Sequence, residues 1–536
     1  MIGSIEWPTR DLLSVRASTT PAATAIVSVD AEADGSAGSG DGATTESWTY
    51  AAFDRRVDGV AAGLENAVFG PDCDHDAEAR LGVLVGTRVA FAAVYFAAMR
   101  RGVTVAPLNV RETADELRSK ADRLDLDGLV CSSTTAELAT EITDGPIVSV
   151  DDSGHDAVDS LRPDRVTDLQ PVELERDRTH LLMFTSGTTG EPKAVRLTVG
   201  NLLASAIGSA FRLGVLPDDR WLCCLPMYHM GGLAPLVRST LYGTTTVIQR
   251  SFDPEETARI IETNGITGVS LVPTMCRRLL EAGWTPPETL RFVLLGGAPA
   301  SRDLIERCRD RGVPVHPTYG MTETASQIAT ARPADAVERP GTVGRALVTT
   351  DVSIVDEEGN PVGTGEVGEV VVSGPTVSPG YLDDDRTVSA VDERGLHTGD
   401  MASRDESGRL WVHDRRSDRI VTGGENVDPD EVREALRSHS AVAEAAVVGL
   451  ADEEWGERVS ALVVLESSRR STGENARERR AIESILEHCK ERLASFKRPK
   501  TVGFAGSIPR TPSGTVDRDL VRRRLLADGV DVTGPG

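Results

Sequence analysis

The sequence predicts an α/β fold: a large N-terminal domain of two parallel α/β subdomains plus a small distorted β-barrel, followed by a small α+β C-terminal domain. Three observations predict it. From residue 179 onward, apolar strand-like runs alternate with amphipathic helical stretches, the pattern of parallel sheets covered by helices. Residues 351–413 change to short β-rich runs between Gly, Pro and Asp turns. At 536 residues the chain is too long for one core, so two or more domains are expected.

The elements follow in order along the chain. Met1 to Leu13 is acidic and polar where a signal peptide needs an apolar core, so no leader is expected. Residues 32–46 (EADGSAGSGDGATTE) are polar and glycine-rich and are expected to form a flexible surface loop. Val89 to Met99 is the longest apolar run. It has about half of the ~20 residues that a membrane helix needs, so it reads as a buried helix. The polar stretch 151–170 links two subdomains. Beyond it His180–Phe184, Trp221–Leu225, Thr244–Ile248, Gly268–Val272 and Phe292–Leu295 read as strands, with Asn201–Phe211, Pro254–Thr263 and Asp303–Arg311 as helices between them. Asp253-Pro254 supplies an N-cap followed by proline at the first helical position. Val352–Val355, Glu369–Val372 and Arg409–His413 are the short strands of the third part. Asp414-Arg-Arg-Ser-Asp-Arg419 is a charged connector, and Asp428-Pro-Asp-Glu431 opens a capped helix. Domains are therefore expected at 1–414 and 420–536, joined through 415–419.

Composition excludes several classes. The net charge is −25, with 83 acidic against 58 basic residues, so no nucleic acid is expected on a basic face. Only five of the basic residues are lysine. Scarce lysine with an acidic excess suits molar salt, where screening shortens self-repulsion to about 3 Å at 1 M. An acidic protein from a GC-rich genome has the same composition. Seven scattered cysteines with no C-x-x-C pair speak against a zinc site or a disulfide framework and for a reducing compartment. A cytoplasmic protein without membrane insertion is expected. Oligomeric state is open.

The densest chemistry lies in Phe184-Thr-Ser-Gly-Thr-Thr-Gly-Glu-Pro-Lys-Ala-Val195. An apolar strand runs into a loop with two glycines, four hydroxyls and Lys193. Glycines let backbone approach an anion, hydroxyls and N–H groups donate to its oxygens, and the lysine adds a compact positive charge. The spacing is not the G-x-x-x-x-G-K-[ST] of common nucleotidases. Thr318-Tyr-Gly-Met-Thr-Glu323 offers a glycine for a tight turn, a stacking ring in Tyr319 and a hard-cation ligand in Glu323. Leu295-Gly-Gly-Ala-Pro299 ends a strand in bare backbone, and Thr398-Gly-Asp400 presents a carboxylate suited to a diol. Taken singly, each of these is an ordinary surface turn.

Together and in this order, from about residue 45 to 530, these strings resemble the adenylate-forming superfamily of acyl-CoA synthetases, luciferases and peptide-synthetase adenylation domains. The resemblance implies an acid–thiol ligase that takes ATP, Mg²⁺, CoA and a small-molecule carboxylic acid, with a mobile C-terminal lid. It implies phosphate contacts from Thr185, Ser186, Gly187, Thr188, Thr189, Gly190 and Lys193. Backbone and rings around the nucleotide come from Gly297, Ala298, Pro299, Thr318, Tyr319, Gly320, Met321 and Thr322. Asp400 and Arg416 hold the ribose, Glu323 with Thr188 binds Mg²⁺, and Asp418 is the hinge. His229, in Cys224-Leu-Pro-Met-Tyr-His-Met-Gly-Gly-Leu233, lies where the family gates the acyl pocket. The catalytic set is then Lys193, Thr188, Glu323 and His229. Arg238 is a candidate to face a substrate carboxylate. Three departures stand out. Ala194 replaces the usual glycine after the lysine, His397 precedes Thr-Gly-Asp where an aromatic residue is usual, and Thr515 occupies the position of a C-terminal lysine that bridges substrate and ATP. Arg510, Arg518 or Lys500 are candidates to take over that role. The alternative outside the ligase class is a catalytically degenerate nucleotide-binding homologue.

Overall fold

The structure, a computed structural model, describes residues 10–31, 44–70, 79–161, 172–185, 192–356, 358–415, 420–466, 474–509 and 516–532. The chain divides into two compact units. One comprises Met1–Val110, Ala121–Phe184 and Ala194–His413; the other comprises Arg111–Lys120, Thr185–Lys193 and Asp414–Gly536.

The first unit holds the expected parallel sheets. A nine-stranded sheet runs Arg345–Ala346, Ser326–Thr330, Val315–Met321, Phe292–Leu295, Gly268–Leu271, Arg220–Cys223, Thr245–Ile248, Thr24–Ala31, Thr44–Thr49. Its middle is parallel, as the strand–helix alternation requires. An eight-stranded sheet runs Gly380–Tyr381, Lys193–Thr198, Thr179–Thr185, Thr104–Pro107, Arg80–Leu84, Gly128–Cys131, Ile147–Ser149, Asp159–Ser160. The central strand Phe292–Leu295 is buried along its whole length, which is why it reads as a continuous apolar run.

One core joins the two sheets. Leu81, Val105 and Leu181 from the smaller sheet and Ile26, Cys223 and Ile248 from the larger belong to it. The helix Val89–Arg100 runs through this core with all but one of its residues buried, which accounts for its uniform apolarity. Its last residue, Arg100, is nevertheless a cation at 3% exposure. Three carboxylates hold it: Asp11 at 3.1 Å, Asp54 at 2.5 Å, and Asp58. Asp11 also caps the helix Leu12–Thr19 through the Ser14 N–H at 3.0 Å.

Residues 351–415 form a distorted five-stranded sheet: Asp351–Val355, Gly368–Ser373, Gly395–Arg404 and Val391–Asp392 in order, with Leu410–Arg415 paired to Gly395–Arg404. The ten-residue strand Gly395–Arg404 was not among the expected ones, because Thr398-Gly-Asp400 in its middle reads as a turn. In the second unit a six-stranded sheet centred on Gly456–Leu465 is packed by the helices Pro429–Arg437 and Glu474–Arg492 over Ile420, Val459, Ala461, Ile485 and Val502. Two local expectations change. Residues 44–46, expected in a loop, belong to the edge strand Thr44–Thr49, while 32–43 lie outside the described residues. Gly320, expected in a tight turn, lies within the strand Val315–Met321.

Candidate active site

The site is built at the carboxyl ends of the parallel strands, where α/β sheets place their ligands. The strand Phe292–Leu295 ends in Gly296-Gly297. A Cβ at Gly296 would sit 2.7 Å from Thr318 Cγ2, and Gly297 has φ +80°, so glycine is required at both positions. This brings the open backbone of Gly297-Ala298-Pro299 beside Thr318.

The strand Val315–Met321 begins parallel to Phe292–Leu295 and continues past it, antiparallel to Ser326–Thr330. The register shifts between Tyr319 and Gly320. A Cβ on Gly320 would lie 1.6 Å from the Ser326 carbonyl oxygen. The glycine therefore serves a close approach of two strands. The strained turn that returns the chain is carried by Ala325 and Ser326, at φ +52° and +116°. Thr318 Oγ1 donates to the Ala329 carbonyl at 2.9 Å, and Gln327 Nε2 donates to Thr330 Oγ1 at 2.7 Å.

Two carboxylates are positioned by tyrosines. Tyr319 OH donates to Asp400 Oδ2 at 2.7 Å, with Asp400 at 2% exposure. Tyr381 OH donates to Glu323 Oε1 at 3.1 Å, with Glu323 at 6% exposure. Glu323 sits on the short turn Thr322–Thr324, and its carbonyl accepts the Ser378 N–H at 2.8 Å. Tyr381 is registered opposite Val195, two residues beyond Lys193. The structure thus unites Tyr319 with Asp400, 81 residues apart in sequence. It also adds Tyr381, which carried no sequence signal of its own.

Of the phosphate loop, the structure describes the two ends. Thr185 closes the strand Thr179–Thr185, and its Oγ1 is buried with no partner among the described residues. Lys193 opens the strand Lys193–Thr198 and is half-buried. Ser186, Gly187, Thr188, Thr189 and Gly190 lie outside the described residues, as do Arg416, Asp418, Arg510 and Thr515. Lys500 donates to Thr422 Oγ1 at 3.3 Å and lies over the Trp455 ring at 4.2 Å; burial lowers its pKa. Burial also lowers that of Arg518.

His229 caps the helix Met230–Tyr242 with extended backbone, its ring edge-on to Tyr228 at 4.9 Å. Further along that helix Arg238 is 2% exposed. Its Nε and Nη2 have no hydrogen-bond partner among the described residues. It lies over the Trp221 ring at 5.5 Å, and Trp221 donates to Ser270 Oγ, on the next strand, at 3.2 Å. Burial pulls its pKa down to about 10, against a small opposing effect of Tyr242. A buried guanidinium with two N–H groups unpartnered among the described residues is costly.

A cation site is tested by its donors. Among the described residues no group of three His, Cys, Asp or Glu side chains gathers. Glu323 offers a buried carboxylate that Tyr381 holds in place. That fits Mg²⁺, which takes one or two carboxylates and completes its shell with water and substrate phosphates.

Comparison with known proteins gives the class of this arrangement as an AMP-binding enzyme. The family described as AMP-binding enzyme matches residues 13–382, and the AMP-binding enzyme C-terminal domain matches 431–515. The chain belongs to the AMP-binding enzyme family. It is 37% identical over 449 residues to a 2-succinylbenzoate–CoA ligase of Bacillus mycoides, covering 83% of this chain and 88% of the relative. It is similar to o-succinylbenzoate CoA synthetase from Bacillus subtilis. A double mutant of that enzyme bound to a product analogue superposes with a TM-score of 0.83 at 32% identity, covering 98% of this chain and all of the other. The same enzyme with ATP and magnesium gives 0.67 at 32% identity, covering 95% and 98%.

Proposed function

We propose that this chain is an ATP-dependent acid–CoA ligase acting on 2-succinylbenzoate, in menaquinone biosynthesis. The observation that carries the choice of acid is Arg238. 2-Succinylbenzoate has two carboxylates, and one must remain free while the other reacts. A buried cation with two N–H groups unpartnered among the described residues suits the free one. A simple aryl acid gives it nothing to bind.

In the first step the reacting carboxylate attacks the α-phosphorus of ATP, forming the acyl-adenylate and expelling pyrophosphate. In the second, the CoA thiol loses its proton, attacks the acyl carbon and expels AMP. Both partners of the first step are anions, so fixed positive charge and dipoles must gather at the phosphate. In this reading Lys193, with Thr185, Ser186, Gly187, Thr188, Thr189 and Gly190, supplies them. Gly297, Ala298, Pro299, Thr318, Tyr319, Gly320, Met321 and Thr322 enclose the adenine. Asp400 and Arg416 hold the ribose hydroxyls. Glu323, with Thr188, holds Mg²⁺, which shares the pyrophosphate charge when bound. His229 borders the acyl and thiol paths. Residues 1–414 carry this machinery, 415–419 form the hinge about Asp418, and 420–536 close over it. We place the enzyme in the cytoplasm and in molar salt.

The test is ATP- and CoA-dependent thioester formation from 2-succinylbenzoate, benzoate and medium-chain acids, from low to molar KCl. Product from 2-succinylbenzoate and none from benzoate is expected. The reverse would remove the choice of acid and leave the reaction class. ATP–pyrophosphate exchange separately tests the first half-reaction. It is expected to survive Thr515→Ala and to fall on loss of Lys500, Arg510 or Arg518, and exchange absent from the native protein would favour the degenerate homologue.

A further inference from the structure

The strand Gly395–Arg404 does not pair evenly with Gly368–Ser373. Val371 faces His397 and Glu369 faces Met401, so the single residue Val370 opposes three, Thr398 to Asp400. The extra residues form a bulge, and Gly399 takes φ +71° within it. A bulge interrupts the ladder, and its backbone groups need other partners. Side chains provide them. Thr398 Oγ1 donates to the Val370 carbonyl at 2.9 Å and accepts the Asp400 N–H at 3.1 Å. Glu369 Oε1 accepts the Gly399 N–H at 3.1 Å. Its other oxygen, Oε2, faces His397 Nδ1 at 3.1 Å, and His397 Nε2 faces Asp392 Oδ2 at 3.2 Å.

We propose that Glu369 and His397 are positioning residues for the nucleotide site, with imidazolium His397 fixing Glu369, Glu369 fixing the Gly399 backbone, and the bulge so held aiming Asp400 at the ribose. The inference rests on the reading of Asp400 and Tyr319 as nucleotide contacts.

The imidazole faces a carboxylate on each nitrogen. Neutral imidazole has one N–H and one lone pair, so one of the two carboxylates would then meet a lone pair. Only the imidazolium donates to both. Among the described residues, Glu369 and Asp392 are the titratable groups acting on it. Asp392 is itself held by the N–H groups of Arg394 and Gly395, at 2.8 and 3.3 Å. Burial alone would lower the histidine; the hydrogen bonds and charges of Glu369 and Asp392 outweigh it and hold the pKa above the ordinary value. The latch therefore stays closed to a higher pH than an ordinary imidazole would allow, and loosens as the pH rises through that raised pKa.

The experiment measures AMP affinity by calorimetry on the full chain between about pH 6.5 and pH 9.5, with the ionisation of the AMP phosphate, second pKa about 6, corrected for. The native protein is expected to weaken about fivefold across the range, the scale of one lost hydrogen bond. His397→Gln, which keeps one donor and no charge, is expected to start at the weaker value and stay flat. His397→Arg, permanently charged, is expected to stay tight at both ends. A flat native profile, an unchanged pH fall in His397→Gln, or a native-like fall in His397→Arg would each overturn the proposal. Asp400→Ala separates the two layers. If its AMP affinity equals that of the native protein, the nucleotide reading itself fails. If it weakens while the His397 variants behave as native, only the positioning role fails. Melting temperatures report folding, and His397→Arg keeps the test decisive should His397→Gln fold poorly.

Discussion

At the scale of single residues, the site retains groups that folding alone would discard. Arg238 is a buried guanidinium whose Nε and Nη2 make no hydrogen bond among the described residues. Replacing a buried charge by a hydrophobe of similar volume is often neutral or stabilising, by about 1–4 kcal/mol. Arg238→Met is therefore expected to match or exceed the native melting temperature while losing thioester formation from 2-succinylbenzoate. A melt and an activity assay on one preparation check both, and a large fall in melting temperature would make Arg238 a structural residue. Glu323 shows the converse economy. Its Oε1 depends on the Tyr381 hydroxyl at 3.1 Å. Tyr381→Phe removes one donor from a buried carboxylate, a loss of about 1–3 kcal/mol. Its expected signature is a higher magnesium concentration for half-maximal rate, read from a magnesium titration at saturating ATP. An unchanged titration would separate Glu323 from the cation.

At the scale of elements, charge is buried where segments distant in sequence must be tied together. Arg100 ends an apolar helix and holds Asp11, Asp54 and Asp58, which belong to two other segments. Arg100→Ala leaves three carboxylates around an empty position and is expected to cost about 3–5 kcal/mol, measured by denaturant unfolding. In the second unit Lys497 Nζ lies 2.8 Å from both Glu116 and Glu431. The two carboxylates diverge although they share one ammonium. Burial raises Glu431 to about 7, whereas Glu116 is lowered because Thr113 adds two donors to Lys497 against the burial. A carboxyl raised on folding contributes stability below its unfolded pKa and loses it as pH rises through the folded one. Lys497 is raised and Glu116 lowered, so both stay charged from about pH 5 to 8, and of these three groups only Glu431 titrates there. Native stability of this unit is expected to fall across that window, and Glu431→Gln to flatten the fall in melts at each pH. Parallel slopes would exclude Glu431. These networks mark the limit of what was legible in the sequence. The parallel strands from residue 180 onward were legible because burial on both faces makes them largely apolar runs, whereas Arg80–Leu84, Thr104–Pro107, Gly128–Cys131 and Ile147–Ser149 were not read as strands; Pro254–Thr263 was legible because its cap and periodicity agree. The strand Gly395–Arg404 was not, because a bulge puts turn residues in its middle. Tyr381, Glu369 and the contact of Cys276 with Cys308 at 3.6 Å were not, because each depends on packing between distant segments that leaves no local pattern.

At the scale of the whole molecule, the charge pattern separates surface from interior. The chain carries 83 acidic residues against 58 basic ones, and five lysines in all. The structure shows how few of those lysines face solvent. Lys120 and Lys497 are at 7% and 5% exposure, engaged with Glu112 at 2.6 Å and with Glu116 and Glu431. Lys500 lies on the Trp455 ring and Lys193 is half-buried, so Lys490 is left as the exposed one. Lysines are thus kept where a compact ammonium has a fixed partner, and the solvated surface is left to carboxylates and arginines. At low salt those carboxylates repel one another over a Debye length of about 10 Å, and at 1 M over about 3 Å. Buried ties such as Arg100 with Asp11 feel little of this change, so the response to salt comes from relief of surface repulsion. The melting temperature is expected to rise steadily between about 0.1 M and about 2 M KCl, by more than in a sucrose series, which strengthens burial without screening charge. A flat or falling curve in KCl would mean that surface ion pairs outweigh self-repulsion, and the acidic composition would then carry no adaptation to salt.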